Sequence, residues 1–365
     1  MDALITPSNW KKVRLGDIAE IKRGVRITKN ELDVFGKYPV VSGGVGFLGY
    51  TNNFNRYENT ITIAQYGTAG YVNFQKNKFW ANDVCFCVYP NKNVIKNIFL
   101  YYFLKVNQNY LYEISNRNAT PYSISKDKIL DFEIPLPPLN EQIAIANILS
   151  DLDHYLYSLD ALILKKEGVK KALSFELLSQ RKRLKGFNQA WQKVRLGDIC
   201  EITTGSLDAN EMVHYGKYRF YTCAKEYYFI DKYAFDTEAI LISGNGAYVG
   251  YVHYYKGKFN AYQRTYVLDN FSEHIIFVKY FLTMFLQSHI QTNRNEGNTP
   301  YIVMGTLKDF EILLPPLNEQ IAIANILSAL DSEIISLKNK KRQFENIKKA
   351  LNHDLMSAKI RVLKK

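Results

Sequence analysis

Cysteine is scarce in this 365-residue chain: four cysteines stand at the irregular positions 85, 87, 200 and 223. Four cysteines so placed do not make the disulfide framework of a small secreted domain. Long apolar stretches are missing as well, because no run of about 18 or more apolar residues occurs, and the opening residues lack the pattern of an export signal. We therefore expect a soluble, cytoplasmic protein whose cysteines are reduced and structural.

Histidine is also rare, and the six histidines are scattered without the spacing of metal ligands. We interpret them as surface or core residues and expect neither a metal nor a cofactor. Apolar material is not lacking, because 47% of the residues are hydrophobic and 22% are charged. This composition excludes an intrinsically disordered chain.

Positive charge is what the sequence has in excess. Lysine and arginine number 47 against 35 aspartates and glutamates, which gives a net charge of +12. A polyanion such as nucleic acid is the first partner that this balance suggests, although many basic proteins bind none. The length suggests two domains, since one hydrophobic core tends to stop growing at about 250 to 300 residues.

An internal repeat decides the organisation. Residues 10–18 (WKKVRLGDI) return as residues 191–199 (WQKVRLGDI), and residues 137–150 return unchanged as residues 315–328. Between these segments the two copies share only fragments. A period near 180 residues is too long for a solenoid unit, so the pattern indicates a duplicated domain with a duplicated connector.

Each copy begins with a strand-rich globular stretch. β-branched runs lead into glycine turns and then alternate again, which predicts paired strands, and helical spacing follows ahead of a polar loop. The predicted strand pairs are residues 61–64 with 70–74 and 240–243 with 250–254, and the predicted helices span residues 95–106 and 277–286. A mixed α/β domain of about 140 residues fits this pattern.

A long helix is predicted after each globular stretch. Pro137 and Pro138 are tolerated at the start of a helix, and Asn140 can cap its first turn. Apolar residues then recur in steps of four and three, which is typical of a coiled-coil seam, and each helix would run for about 40 residues. Gly168 predicts a bend or a shift of register in the first helix. The seam consists of Ile145, Leu149, Leu152, Leu156, Leu159 and Ile163, and of Ile323, Leu327, Leu330, Ile334, Leu337, Phe344, Leu351 and Leu355.

The connectivity predicts how the helices pair. A pseudo-two-fold axis would make them an antiparallel coiled coil with the globular domains at opposite ends of a rod. The alternative is that each helix packs on its own domain. The expected fold class is α+β, with two pseudo-repeats that each combine a globular mixed α/β domain with a long helix. The predicted segments are a first domain at 1–138, a helix at 139–186, a second domain at 187–316 and a helix at 317–365.

The framing motifs carry a family resemblance. KVRLGDI at residues 12–18 and 193–199, with PLPPLNEQ at 135–142 and LLPPLNEQ at 313–320, is similar to the DNA-specificity subunit of Type I restriction-modification systems. The resemblance covers nearly the whole chain. It implies that the globular domains are target-recognition domains, each reading one half of a split asymmetric site on double-stranded DNA. It also implies that the subunit itself performs no chemistry.

The resemblance further implies partners. The two conserved helices would set the spacing between half-sites and dock two methyltransferase (modification) subunits, and restriction subunits would join the same core. The identical starts of the two helices suit two identical partners. The residues assigned to this dock are Leu139, Glu141, Gln142, Ile145 and Leu149, and Leu317, Glu319, Gln320, Ile323 and Leu327.

Base reading requires donor and acceptor side chains on exposed loops. In each copy such residues follow the repeated KVRLGDI motif, or lie in the first glycine turn or in the late polar loop. Their chemistry differs between the copies. In the first domain they are Lys22, Arg23, Arg26, Lys29, Gln65, Tyr66, Thr68, Asn116, Arg117, Asn118 and Thr120. In the second domain they are Thr203, Thr204, Ser206, Asn245, Tyr248, Asn293, Arg294, Asn295 and Thr299.

Two alternative functions belong to other classes. A coiled-coil adaptor with protein-binding heads would show the same repeat. A DNA methyltransferase is suggested by residues 298–301 (NTPY), which resemble the Asn-Pro-Pro-Tyr motif of adenine methyltransferases, but Ala119 stands at the equivalent place in the first copy. Gly244, Gly246 and Gly250 we interpret as turn formers rather than a cofactor loop, because the first copy keeps only two of them.

Overall fold

A computed structural model gives the fold and describes residues 9–118, 120–293 and 300–362; of Asn293 it describes the backbone alone. The chain divides into two compact units. Unit 1 comprises Met1–Asp160 with Asn339–Lys365, and unit 2 comprises Ala161–Lys338. Each unit therefore contains one globular region together with part of each long helix.

Unit 1 builds its globular region from a four-stranded antiparallel sheet in the order β2-β8-β5-β6, a three-stranded sheet in the order β4-β3-β7, and the pair β1-β9. The elements are β1 (Lys11–Arg14), α1 (Leu15–Ile18), β2 (Ala19–Arg23), β3 (Tyr38–Val41), β4 (Gly49–Thr51), β5 (Thr60–Ala64), β6 (Val72–Gln75), β7 (Trp80–Ala81), β8 (Cys85–Pro90), α2 (Asn97–Val106), α3 (Gln108–Glu113), α4 (Lys126–Leu130) and β9 (Glu133–Leu136). The central strand β5 is buried along its whole length, as its β-branched sequence TITIA favours.

Unit 2 repeats this plan with one six-stranded sheet in the order β11-β16-β14-β15-β12-β13. Its elements are β10 (Gln192–Arg195), β11 (Glu201–Thr204), β12 (Tyr218–Tyr221), β13 (Tyr228–Ile230), β14 (Phe235–Ser243), β15 (Val252–Ala261), β16 (Thr265–Asp269), α6 (Ile275–Asn293), α7 (Met304–Lys308) and β17 (Glu311–Leu314). This single sheet corresponds to the four-stranded and three-stranded sheets of unit 1. The two are joined in unit 2 because the ten-residue β15 pairs with both β14 and β12. In unit 1 its counterpart is divided into the short strands β6 and β7.

The predicted mixed α/β architecture with two repeats is confirmed. The strand pairs appear as β5 with β6 and β14 with β15, both antiparallel. The two predicted helices appear as α2 and α6, which pack their apolar residues into the cores of their units.

The two long helices begin at the predicted residues. They are α5 (Leu139–Leu178) and α8 (Leu317–Met356), each 40 residues long. The predicted cap is wrong in its position, because Asn140 lies inside the first turn of α5, where its side-chain oxygen accepts a hydrogen bond from the adjacent Glu141 amide at 3.0 Å. The helix α5 continues through Gly168 without a break in its secondary structure.

One helix in the described ranges, α8, contains an 18-residue window with a mean hydropathy of 1.3. By length and composition alone this window is apolar enough to cross a membrane. However, Ile323, Ala324 and Leu327 of the same helix are buried in the core of unit 2. A core helix of a globular protein passes the same test, so this hydropathy is weak support for a membrane span.

Candidate nucleic-acid interface

Two equivalent glycines, directly after β2 in unit 1 and directly after β11 in unit 2, allow close backbone contact. A β-carbon on Gly24 would lie 2.0 Å from the carbonyl oxygen of Asn82, and one on Gly205 would lie 1.9 Å from that of Ala261. No side chain fits at such a distance from a backbone oxygen. The glycines therefore fix the same local frame in both copies.

In unit 1, the glycine turn after β5 is hydrogen-bonded to two other loops. The Gln65 amide donates to Val84 O at 2.9 Å, the Ile124 amide donates to Gln65 O at 3.0 Å, and the Gly67 amide donates to Tyr122 O at 3.1 Å. These bonds join three loops into one surface, which we call loop cluster 1 (residues 65–68, 82–84, 116–118 and 120–124).

Unit 2 has the same bonds at the equivalent positions. The Gly244 amide donates to Arg264 O at 2.8 Å, the Ile302 amide donates to Gly244 O at 2.9 Å, and the Gly246 amide donates to Pro300 O at 2.9 Å. We call this surface loop cluster 2 (residues 244–248, 262–264 and 300–302). The backbone frame is thus shared, whereas the side chains on it differ.

Loop cluster 1 contains or adjoins most of the contacts predicted for the first domain. The side chain of Arg23 reaches it, since Nε donates to Asp83 O at 2.5 Å. Lys22 is not brought in by a comparable contact, because its Nζ pairs with Glu20 at 3.1 Å on β2. The other predicted residues, all exposed or half-buried, are Arg26, Lys29, Gln65, Tyr66, Thr68, Asn116, Arg117, Asn118 and Thr120.

Arg117 is held in a defined place within loop cluster 1. Its guanidinium lies 5.1 Å from the ring centre of Tyr112 and 4.9 Å from that of Tyr122. Its Nε also donates to Tyr112 O at 3.0 Å. Stacking on two rings fixes the cation while it stays exposed to solvent, which suits recognition of a phosphate or a base edge.

In unit 2 the predicted contacts are only partly described. Thr203, Thr204 and Ser206 are exposed at and after the end of β11, and Asn245 and Tyr248 lie in loop cluster 2. The predicted residues Arg294, Asn295 and Thr299 lie outside the described residues, as does the side chain of Asn293.

Sequence reasoning missed several exposed residues beside these clusters. In unit 2 they are Gln263 and Arg264, in the turn between β15 and β16, and Lys225, whose Nζ lies 5.1 Å from the Tyr248 ring. In unit 1 it missed the hairpin loop at residues 42–48. The glycine-rich run SGGVG between two apolar segments was the signal available for that loop.

Most of the residues predicted to dock partner subunits are buried inside their own unit. Leu139 is half-buried and Leu317 is exposed. The other eight are buried, so their side chains offer no surface to a second protein; they are Glu141, Gln142, Ile145, Leu149, Glu319, Gln320, Ile323 and Leu327. The exposed face of the same helix starts instead carries Ile143 (44% exposed) and Ile321 (39% exposed).

In unit 2, the buried carboxylate of Glu319 is neutralised from within the chain. Its oxygens accept hydrogen bonds from Arg183 Nη2 at 2.5 Å and Nε at 3.2 Å, and from Trp191 Nε1 at 3.2 Å. Arg183 follows the end of α5, so this cluster joins the start of α8 to the segment after α5. The carboxylate also lies in the first turn of α8, where the helix dipole favours negative charge.

Unit 1 repeats this cluster with other parts of the chain. Glu141 accepts hydrogen bonds from Arg361 Nε at 2.6 Å and Nη2 at 2.9 Å, and from Trp10 Nε1 at 3.1 Å. The paired glutamates and tryptophans of the two repeated motifs therefore serve internal packing. This explains why the motifs are identical at these positions without requiring a partner protein.

A second pseudo-symmetric cluster lies along the long helices. In unit 2, Asp331 Oδ2 accepts a hydrogen bond from Tyr280 Oη at 2.6 Å, and Oδ1 accepts one from Lys170 Nζ. In unit 1 the same three groups are supplied by Asp153, Tyr102 and Lys348. In each unit the aspartate belongs to one long helix and the lysine to the other.

Asp331 confers a pH dependence on unit 2. Burial alone would raise the pKa of its carboxyl, but hydrogen bonds from Lys170 and Tyr280 outweigh burial and hold the pKa below its ordinary value of 3.8. A carboxyl with a depressed pKa contributes stability that is present above the unfolded pKa and lost as pH falls through the folded one.

We therefore expect Asp331→Asn to be less stable than the wild type at neutral pH, with the difference shrinking as pH falls below about 3.8. Urea unfolding at a series of pH values, followed by circular dichroism, measures the difference. The matched control is Asp309→Asn, which removes an exposed carboxylate whose Oδ1 lies 3.6 Å from Arg195 Nη1, and it should change little. An undiminished difference at low pH would contradict the assignment.

Comparison with known proteins identifies the family. The family model described as "Type I restriction modification DNA specificity domain" matches residues 7–166 and again residues 188–346. A similar protein is the Type I restriction enzyme EcoDI specificity subunit of Escherichia coli, 38% identical over 170 residues, which cover 46% of this chain and 37% of that protein. Another is the Type I restriction enzyme MjaVIII specificity subunit of Methanocaldococcus jannaschii, 25% identical over 417 residues, with 99% of this chain and 95% of that protein covered.

A solved structure has the same fold. The crystal structure of a Type I restriction-modification system S subunit from M. genitalium superposes with a TM-score of 0.74 and covers 97% of each chain, at 22% sequence identity. The two matches to the family model agree with the two copies of the loop frame and of the buried clusters. The chain therefore belongs to the family of Type I restriction-modification DNA specificity subunits.

Proposed function

We propose that this chain is the sequence-reading subunit of a Type I restriction-modification complex, and that each unit reads one half of a two-part asymmetric DNA site. The observation that carries the proposal is the pair of loop clusters. Their backbone bonds match between the units, whereas their exposed side chains differ. A shared frame gives both units the same mode of approach to DNA, and different side chains give them different sequences to read.

Charge on the loop clusters supports a nucleic-acid ligand. Arg23, Arg26 and Arg117 lie in or beside loop cluster 1, and Lys225 and Arg264 lie in or beside loop cluster 2. Arginine and lysine at exposed loops provide phosphate contacts, and such contacts release counterions and dominate DNA affinity. The chain's net charge of +12 acts in the same direction.

The long helices, in this proposal, form an antiparallel coiled coil that sets the number of base pairs between the half-sites. Within unit 1, Asp153 and Asp160 of α5 pair with Lys348 and Lys341 of α8. Within unit 2, Lys166 pairs with Glu333 at 2.8 Å. In unit 1 the residue numbers fall along α8 as they rise along α5, which supports an antiparallel pairing.

The partners in this proposal are two methyltransferase subunits, joined by restriction subunits. The chain itself acts as a non-catalytic targeting subunit in the cytoplasm and requires no cofactor. The docking surfaces are the exposed faces of the two identical helix starts, around Ile143 and Ile321, rather than the buried residues beside them. Identical surfaces suit two copies of one partner.

Replacement of a domain interior tests the reading of half-sites. We expect exchange of residues 26–125 for the corresponding segment of a relative to change one half of the methylated motif and leave the other half unchanged. Sequencing the methylated positions in cells that carry the chimera with its methyltransferase gives the result. An adaptor with protein-binding heads, the second candidate, would leave the methylated motif untouched.

Substituting glutamate for the exposed isoleucines at the starts of the two long helices tests the proposed docking surface. We expect Ile143→Glu and Ile321→Glu together to weaken assembly with the methyltransferase at least tenfold, because a buried unpaired carboxylate in an interface is costly. Size-exclusion chromatography of the mixed subunits measures assembly. The control Ile335→Glu alters an exposed isoleucine further along α8 and should assemble normally. Equal loss in the control would contradict the placement of the dock.

A further inference from the structure

Two hairpin loops occupy the same place in the two units. In unit 1 the loop joins β3 to β4, and in unit 2 it joins β12 to β13. We call them reading loop 1 (residues 42–48) and reading loop 2 (residues 222–227). Reading loop 2 is one residue shorter, so the loops differ in length as well as in sequence.

The base of reading loop 1 is fixed to loop cluster 1. Both the amide and the hydroxyl of Thr68 donate to Gly43 O, at 2.9 and 2.7 Å. A β-carbon on Gly43 would lie 2.2 Å from Tyr66 O, so glycine is required there by the fold itself. The loop is therefore anchored beside the predicted DNA contacts, with its tip directed to solvent.

The next two glycines of reading loop 1 are not required by the fold. A β-carbon on Gly46 would meet nothing within 4 Å, and one on Gly44 would meet no atom closer than 3.7 Å. Neither residue adopts the positive backbone angle that favours glycine. Glycine at two open, unstrained positions is explained if a molecule outside the chain approaches the backbone closely.

The other residues at the tip of reading loop 1 are apolar and exposed. Val45 is 58% exposed and Phe47 is 51% exposed, and Leu48 is exposed beside them. None of these side chains can form a hydrogen bond, so they can recognise a base only through apolar contact, as with the methyl group of thymine in the major groove. The cations of loop cluster 1 supply the attraction to a polyanion that an apolar loop lacks.

Reading loop 2 has a different chemistry on the same frame. Its exposed tip carries Lys225, Glu226 and Tyr227. Lysine can donate to guanine O6 and N7, and glutamate can accept from the amino group of cytosine. The ring of Tyr227, the last residue of the loop, lies 4.2 Å from the guanidinium of Arg219 on β12.

The base of reading loop 2 is also anchored. His253 Nε2 lies 2.9 Å from Ala224 O, and since a carbonyl only accepts, the imidazole donates. Burial lowers the pKa of His253, which favours the neutral ring. The Cys223 thiol donates to Arg264 O at 3.2 Å, so this loop is tied to loop cluster 2.

We propose that these two hairpin loops are base-reading segments: reading loop 1 reads an A·T pair through apolar contact and close backbone approach, and reading loop 2 reads a G·C pair through Lys225 and Glu226. The proposal rests on the proposed function and adds the residues and the base class to it. It assigns specificity to residues 42–48 and 222–227 in addition to the loop clusters.

The test uses the complete complex. The wild-type methylome first gives the motif, and DNA duplexes carrying that motif with single-pair changes in one half or the other then serve as probes. We expect Gly46→Val to weaken binding through one half-site at least tenfold, because the added side chain prevents close approach. We expect Lys225→Met to lose about tenfold discrimination at one G·C pair in the other half-site.

The matched control is Gly168→Val, which also adds a side chain in open space, on helix α5. We expect it to bind and discriminate as the wild type does. The thermal midpoints of all three variants should match that of the wild type, since each changed position is exposed or unobstructed.

Three results would overturn the proposal. The first is that both variants bind and discriminate as the wild type does. The second is that both variants alter the same half-site. The third is that Gly46→Val keeps its fold but no longer assembles with the methyltransferase, which would make the loop a protein interface. Failure of the proposed function is distinguishable, because the wild-type complex would then methylate no two-part motif at all.

Discussion

Arg183→Met is expected to lower the free energy of unfolding of unit 2 by about 3 kcal/mol. The carboxylate of Glu319 is fully buried and would lose its charge partner, whereas the Trp191 hydrogen bond would remain. Removing one member of a buried ion pair costs about 3 to 5 kcal/mol, and the lower end applies because the arginine side chain keeps 22% exposure. Urea unfolding of the full chain, with hydrogen exchange resolved by peptide, measures the loss.

Two further variants separate this effect from a general one. Lys182→Met removes the neighbouring exposed ion pair with Glu176 and should cost less than about 1 kcal/mol. Adding Glu319→Gln to Arg183→Met should recover most of the stability, since no charge is then left buried without a partner. A loss for Arg183→Met no larger than that for Lys182→Met would contradict the role of the buried carboxylate.

Gly205→Ala is expected to destabilise unit 2 by about 3 kcal/mol or more. The added carbon would lie 1.9 Å from Ala261 O, and this backbone oxygen at the end of β15 cannot rotate away as a side chain can. We expect hydrogen exchange to accelerate in β11 and β16, which pair directly beside this position. Urea unfolding gives the corresponding loss in free energy.

The control for this substitution is Gly305→Ala. A β-carbon on Gly305 meets nothing within 4 Å, and the residue lies in helix α7, where alanine is preferred to glycine by about 1 kcal/mol. Stability should be unchanged or slightly increased. Equal stability of Gly205→Ala and the wild type would show that a side chain is tolerated this close to the backbone oxygen of Ala261.

The repeat and the long helices were predictable because their signals are local and strong. Two identical 14-residue segments and a heptad pattern do not depend on knowledge of the folded structure. Gly168 predicts a bend or a shift of register, which stays a prediction, and α5 continues through it without a break. Its neighbours Lys166 and Lys170 pair with Glu333 and Asp331, and these contacts offset the weak helix propensity of a single glycine.

The fused sheet of unit 2 could not be predicted in the same way. The sequence indicated strands 250–254 and 240–243, but β15 extends to Ala261 and takes a second partner, β12, in parallel. Parallel pairing between distant segments leaves no local pattern, because the residues that meet are about 40 positions apart in the chain.

The residue types of the candidate DNA contacts were predictable from the sequence. Which of these residues lie together in space depends on the fold. Loop residues such as Asn116 and Thr68 lie in or beside a loop cluster because of backbone bonds between segments far apart in sequence. Glu141 looked like an exposed dock residue beside an apolar run. Its burial depends on Arg361, 220 positions away, and no local pattern connects the two.

The central claim is that two units with one frame and different side chains read two different half-sites. Sequencing the methylated bases in cells that express this chain with its methyltransferase tests the claim most directly. The account predicts an asymmetric motif of two specified parts separated by a fixed number of unspecified base pairs. A single continuous palindrome would contradict it.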